Sequence, residues 1–117
     1  MIHHVIFFLA QYLPGGKVSD GVFWVRSSIG SYKFDFDDAQ RACKEFGAEI
    51  VSHEQLNAAW LKGMSQCDCG WTADKTVMYP LAANKNCYNS NKSGLKICQK
   101  LYDNSKFDVY CFLPPEG

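Results

Sequence analysis

Residues 67–74 read C-D-C-G-W-T-A-D. Two thiols one residue apart can be half of a metal site, a redox pair, or two anchors of a disulfide framework, and the fold class turns on which of these it is. The surrounding chain has 117 residues and six cysteines, a length that suits one domain with a small core. An even cysteine count in so short a chain points to disulfides formed in an oxidising compartment. Structural zinc takes C-x₂₋₄-C knuckles in matched pairs, and C-x-C followed by single cysteines at 87, 98 and 111 is not that pattern. Calcium needs clustered oxygen ligands, whereas the acids of the second half are scattered. No metal or cofactor is therefore expected. A ring closed between Cys67 and Cys69 would be strained, so the two thiols should have separate partners. Spacing alone does not choose among the possible pairings.

Upstream, residues 21–27 (G-V-F-W-V-R-S) alternate and are rich in β-branched and aromatic side chains, which predicts a strand; residues 32–34 (Y-K-F) suggest a second, shorter one. Asp35 can cap a helix that carries Asp37 and Asp38 at its positive end and Lys44 near its last turn. Ala39, Ala42, Cys43 and Phe46 recur at helical spacing, so Cys43 should face the core, and Gly47 suits a left-handed stop. Ser52 and Gln55 form a capping box for a second helix, with Leu56, Ala59, Trp60 and Met64 as its apolar stripe and Gly63 near its end. Downstream of Cys67 the chain reads as short strands and turns, including T-V-M-Y-P-L (76–81), L-K-I-C-Q-K-L (95–101) and F-D-V-Y-C-F (107–112). Two helices followed by several short strands imply an α+β domain with antiparallel sheet.

Pro14, Gly15 and Gly16 punctuate the chain ahead of this domain. Residues 1–20 then form an N-terminal extension. Its apolar run from Val5 to Ala10 is too short to span a bilayer and reads as a signal remnant, or as an extra strand, tag or alternative start. Residues 113–117 (L-P-P-E-G) look like a module edge entering a linker. No other segment is long enough to cross a bilayer, so membrane insertion by this chain is not expected.

Twelve basic residues balance twelve acidic ones, which argues against nucleic acid as a partner. A nucleophilic cysteine needs a base within hydrogen-bond reach, and the only domain histidine, His53, falls in the exposed first turn of the second helix. Asp37 and Asp38 are adjacent on a helix and point different ways, as helix-terminal charges do. An enzyme is not expected. Charge is uneven locally, however: residues 75–100 hold five lysines (75, 85, 92, 96, 100) and no acid, interleaved with Tyr79, Tyr88 and several asparagines. Tyrosine faces pack on the apolar faces of sugar rings, lysines pair with carboxylates, and amides bond hydroxyls. A linear acidic polysaccharide would suit that set, beside the plainer reading of a solvated loop. Asn91-Lys92-Ser93 in the same stretch is an N-glycosylation sequon, which agrees with a secreted chain.

Taken in order, G-V-F (21–23), G-S-Y-K-F (30–34), D-D-A-Q-R-A-C (37–43), C-D-C-G-W-T-A-D (67–74), V-M-Y-P (77–80), N-C (86–87) and F-D-V-Y-C-F (107–112) resemble the Link module, the hyaluronan-binding domain of extracellular proteoglycans and cell-surface receptors. The match runs over residues 21–112. The resemblance implies a C-type lectin-like fold without the calcium site: two helices and two small antiparallel sheets. It also implies the disulfides Cys43–Cys111 and Cys67–Cys87. Cys69 and Cys98 then remain, outside the usual cysteine positions of the family, and are expected to bond to each other.

By the same resemblance, Tyr32 and Tyr79 occupy groove positions, Lys100 stands where a late basic residue is expected, and Tyr88 replaces an aromatic that usually lies slightly later. Ser31 takes the place of a basic residue, for which Lys33 is the nearest substitute. The implied ligand set is Tyr32, Lys33, Tyr79, Asn86, Tyr88, Lys92 and Lys100, binding hyaluronan or a related acidic polysaccharide in the extracellular space. Asp68 puts a carboxylate where some receptors carry groove residues and would repel a carboxylated sugar. That favours a second reading, a Link-like scaffold that contacts extracellular proteins instead.

Overall fold

The computed structural model describes residues 12–88, 91–98 and 105–114, with only the backbone course for 12–17. Strand β1 (Tyr12–Ser19) turns back into β2 (Val22–Ser27). There follow helix α1 (Phe36–Glu45), β3 (Glu49–Ile50), helix α2 (His53–Leu61), β4 (Gly70–Trp71), β5 (Val77–Leu81), β6 (Gly94–Ile97) and β7 (Asp108–Phe112). The expected antiparallel groups are both present: β1–β2–β7 with β3 also on β7, and β4–β5–β6. They do not stay separate. A short parallel pairing of β4 with β7, Gly70 opposite Asp108 and Trp71 opposite Val109, joins them into one mixed sheet.

Both helices begin as the sequence implies, and each start is a reciprocal cap. Asp35 accepts from the Asp38 amide at 2.8 Å while Asp38 accepts from the Asp35 amide at 3.1 Å. Ser52 and Gln55 exchange the same pair of bonds. Gly47 follows α1 at φ +71°, the left-handed stop. Alternation along the central strands sends neighbouring residues to opposite faces. Phe23, Val25, Val109 and Cys111 pack with Ala39, Ala42 and Cys43 of α1, whereas Val22, Met78 and Tyr110 pack with Leu56 and Ala59 of α2. The sheet is thus covered on both faces, which is why all five residues of β5 are buried.

Two local expectations are overturned. Residues 14–16 do not break the chain; β1 runs through Pro14 and Gly15 opposite Val25 and Trp24, and its register shifts only between Gly15 and Ser19. Among the described residues β1 is the sheet's edge, where a proline is tolerated. Residues 32–34 are not a strand. Tyr32 sits at φ +55°, outside the extended region, and only Phe34 makes an isolated bridge, to Phe107. Residues 1–11, on which the signal-remnant expectation falls, lie outside the described residues, as do Lys100 and 115–117.

All six cysteines are paired: Cys43–Cys111, Cys67–Cys87 and Cys69–Cys98. The first ties α1 to β7 within the core. The other two leave the C-D-C segment in different directions, one to the loop before Tyr88 and one to the end of β6. Among the described residues, no helix is long and apolar enough to cross a membrane.

Candidate functional site

The C-D-C-G-W segment organises one end of the sheet, and each residue has a separate physical task. Trp71 donates its indole N–H to the Phe34 carbonyl at 2.8 Å and meets Phe36 and Phe107 edge-on, fixing the loop between β2 and α1. Gly70 has Tyr110 against it: a Cβ there would lie 2.6 Å from Cδ2 and 2.7 Å from Cε2 of that ring. Tyr110 is fully buried and donates its hydroxyl to the Asp68 carbonyl at 2.6 Å; burial raises its pKa well above the usual phenol range, so it remains a donor.

Asp68 does not face an approaching ligand as a bare charge. Its carboxylate pairs with Arg26 at 3.1 Å and accepts from the Gln66 amide. The repulsion expected of it is therefore largely neutralised within the protein. Arg26 also lies over the Trp24 ring, 4.5 Å from its centroid, with Nε 3.7 Å from buried Asp108. Asp108 in turn accepts from Trp24 Nε1 at 2.9 Å and from the Tyr32 amide at 2.9 Å. Burial pushes the Asp108 carboxyl above its ordinary range; the Tyr32 and Trp24 N–H bonds and Arg26 oppose that shift.

The Asp108 bond holds Tyr32 in its left-handed conformation, an uncommon state for a bulky residue that the surroundings must enforce. From there its hydroxyl accepts from the Cys69 amide at 2.9 Å and lies 3.1 Å from the hydroxyl of Tyr88. Tyr88, likewise at φ +52°, donates to the Cys67 carbonyl. Because a phenol has one hydrogen, the direction of the chain is set: Cys69 amide to Tyr32, Tyr32 to Tyr88, Tyr88 to Cys67. Burial and the bond to Tyr32 push the Tyr88 hydroxyl far above its usual range, so it stays a donor.

Tyr79 of β5 completes the cluster, its ring 5.3 Å from that of Tyr88 at 72°. Only 8% of Tyr79 is exposed against 61% of Tyr88. Tyr88 thus presents the exposed ring of the pair, and Tyr79 packs against it from the core. Of the other predicted residues, Asn86 is exposed next to the Cys67–Cys87 bridge and so lies beside the cluster. Lys33 is exposed one residue after Tyr32; Lys92 and the sequon residue Asn91 are exposed on the loop before β6. None of these three touches the tyrosine rings in a described contact. Two residues that shape the site, Arg26 and Asp108, were not among the sequence candidates. Their partners lie 42 to 84 residues away in sequence, and no local pattern marks them.

Residues 21–112 match the family model described as the extracellular link domain. The chain is 41% identical over 98 residues to the versican core protein of Homo sapiens, 41% to that of Mus musculus and 40% to that of Rattus norvegicus. Each alignment covers 80% of this chain but only 3% of the human and mouse proteins and 4% of the rat protein. The chain spans a small fraction of the length of the relatives it matches.

Proposed function

Because this chain belongs to the extracellular link domain family, we propose that it is a non-catalytic extracellular module that binds hyaluronan. The observation that carries this reading is the exposed ring of Tyr88, locked by hydroxyl bonds to Tyr32 and the C-D-C backbone and braced by Tyr79. A rigid aromatic platform orders few torsions on binding, so little conformational entropy opposes stacking on a sugar ring. Tyr32 borders the platform. Asn86 bonds the acetamido groups, and Lys33, Lys92 and Lys100 supply positive charge for the glucuronate carboxylates. The Arg26–Asp68 pair supports the reading, since it offsets the Asp68 charge, one of the features that favour a scaffold for protein contacts.

Calorimetric titration with hyaluronan oligosaccharides tests the proposal, with chondroitin sulfate and heparin for comparison. Saturable binding that weakens with added salt supports it. No binding at low salt overturns it. Capture of an extracellular protein that survives Tyr32→Ala and Tyr79→Ala would favour the scaffold reading instead.

A further inference from the structure

The described lysines differ in what already occupies them. Lys62 is paired with Asp20, and Lys75 lies over the Phe36 ring. Lys96 has no carboxylate partner among the described residues, yet it is placed by backbone pairing rather than by a loop. It stands directly opposite Tyr79 in the β5–β6 ladder. Residues so opposed project to the same side of the sheet, with Cβ atoms about 4.5–5.5 Å apart. Its neighbour Leu95 packs in the α2-side cluster with Met78, which sends Lys96 to the other side, that of Tyr79.

Two residues further along, on the same side as Lys96, Cys98 is bonded to Cys69. Cys69 is the residue whose amide donates to the Tyr32 hydroxyl. Among the described residues β6 is an edge strand, paired only with β5, and this bridge pins its end to the tyrosine cluster. The result is a partly buried lysine with no carboxylate partner among the described residues, held beside the tyrosine pair on a stapled strand.

We infer that Lys96 is the cation that reads the carboxylate of an acidic sugar lying on the Tyr88 platform, and so sets the preference for uronate over neutral sugar. This rests on the hyaluronan reading above. Lys33 and Lys92 then add general attraction from neighbouring loops, while Lys96 supplies the positioned contact. Lysine serves as a point charge here and needs no bidentate alignment.

The test compares hyaluronan oligosaccharides with carboxyl-reduced counterparts, in which glucose replaces glucuronate, by calorimetry at low and moderate salt. Wild type should bind the acidic form more tightly. Lys96→Gln should lower affinity for the acidic form by about three- to tenfold, as a partly exposed ion pair warrants. It should also flatten the salt dependence and leave binding of the reduced form unchanged. Lys96→Arg should restore both affinity and salt dependence. An unchanged affinity and salt dependence in Lys96→Gln, or an equal loss for both ligands, overturns the assignment and leaves the hyaluronan reading standing. Absence of wild-type binding overturns both. The side chain is half-exposed on an edge strand, and an unaltered thermal midpoint in each variant confirms that the fold is intact.

Discussion

The hydroxyls of Tyr32 and Tyr88 lie 3.1 Å apart across 56 residues of sequence, and both residues hold a left-handed backbone. Backbone outliers of this kind persist only where surrounding contacts over-determine them. Here the contacts run through Asp108 at one end and the Cys67 carbonyl at the other. Ring and hydroxyl are therefore separable. Tyr88→Phe keeps the ring and its packing on Tyr79 but deletes the relay that locks it, which should cost about 1 kcal/mol of stability and weaken hyaluronan binding less than loss of the ring does. Tyr88→Ala removes the platform and should weaken binding by about tenfold or more, ~1.4 kcal/mol. Denaturant unfolding and calorimetry on the two variants distinguish these effects. Equal losses of affinity would show that the hydroxyl, not the ring, is what the sugar meets.

Gly70 is required by its neighbour rather than by its own conformation. A methyl group there meets Cδ2 and Cε2 of the Tyr110 ring, which is buried and tethered to the Asp68 carbonyl. The ring has no room to retreat. Gly70→Ala should destabilise by about 1–3 kcal/mol or more, as overpacking does, and lower the thermal midpoint by roughly 4–8 °C per kcal/mol for a domain of this size. A variant as stable as wild type would show that Tyr110 can yield.

Arg26 serves two carboxylates, exposed-side Asp68 and buried Asp108. Removing the cation leaves Asp108 buried beside a second negative charge, whereas removing both Arg26 and Asp68 relieves that repulsion. Arg26→Met should therefore be more damaging than Arg26→Met with Asp68→Asn. The coupling in a double-mutant cycle should fall within about 0.5–3 kcal/mol. Strict additivity would mean that the pair contributes nothing beyond a solvated surface contact.

Acid sensitivity has a definite sign. The Asp35 carboxyl is held below the usual aspartate range chiefly by the Asp38 amide, and Asp74 likewise by the Thr72 hydroxyl and by Thr76. In each case the unfolded chain binds the proton more readily. The stability these groups contribute is complete well above the unfolded-state value and is lost as pH falls through the lower folded one. Asp108 acts oppositely: its raised folded value makes ionisation a cost that grows as pH rises above 3.8. Asp74→Asn should accordingly cost stability near neutral pH and nothing at the acid end. Denaturation midpoints across the acid range check this, and a pH-independent effect would refute it.

Legibility from sequence followed the range of the interactions. Both helices were readable because their caps are three-residue signals, Asp35–Asp38 and Ser52–Gln55, with apolar spacing behind them. The strand expected over residues 32–34 fails at Tyr32, because what bends it is Asp108, 76 residues away. The parallel β4–β7 joint and the Arg26–Asp68 pair were hidden for the same reason: nothing local requires them. Asp68, read alone, is a repulsive charge; with Arg26 42 residues upstream it becomes part of the site's support. Lys96 lies between these cases. Its side of the sheet follows from the alternation Leu95–Lys96–Ile97 once the register with Tyr79 is known.

The Cys69–Cys98 bridge joins the C-D-C segment to an edge strand and closes a span of 29 residues. In the chain-entropy account, a loop of that length is worth about 3–4 kcal/mol, against about 4–5 for the longer Cys43–Cys111 span. The double variant Cys69→Ala, Cys98→Ala should thus unfold at lower denaturant by an amount near the smaller figure while retaining the core around Cys43–Cys111. Its effect on ligand should exceed its effect on fold: with the end of β6 untied, Lys96 and the amide that positions Tyr32 lose their common anchor. Mass spectrometry of a non-reduced digest should recover the Cys69–Cys98 peptide pair from the native protein. Hyaluronan affinity measured at a temperature where the variant remains folded should fall by at least the factor seen for Lys96→Gln. A free thiol at Cys69 would remove the basis for the staple, and undiminished affinity in a folded double variant would show that β6 keeps its register by backbone pairing alone.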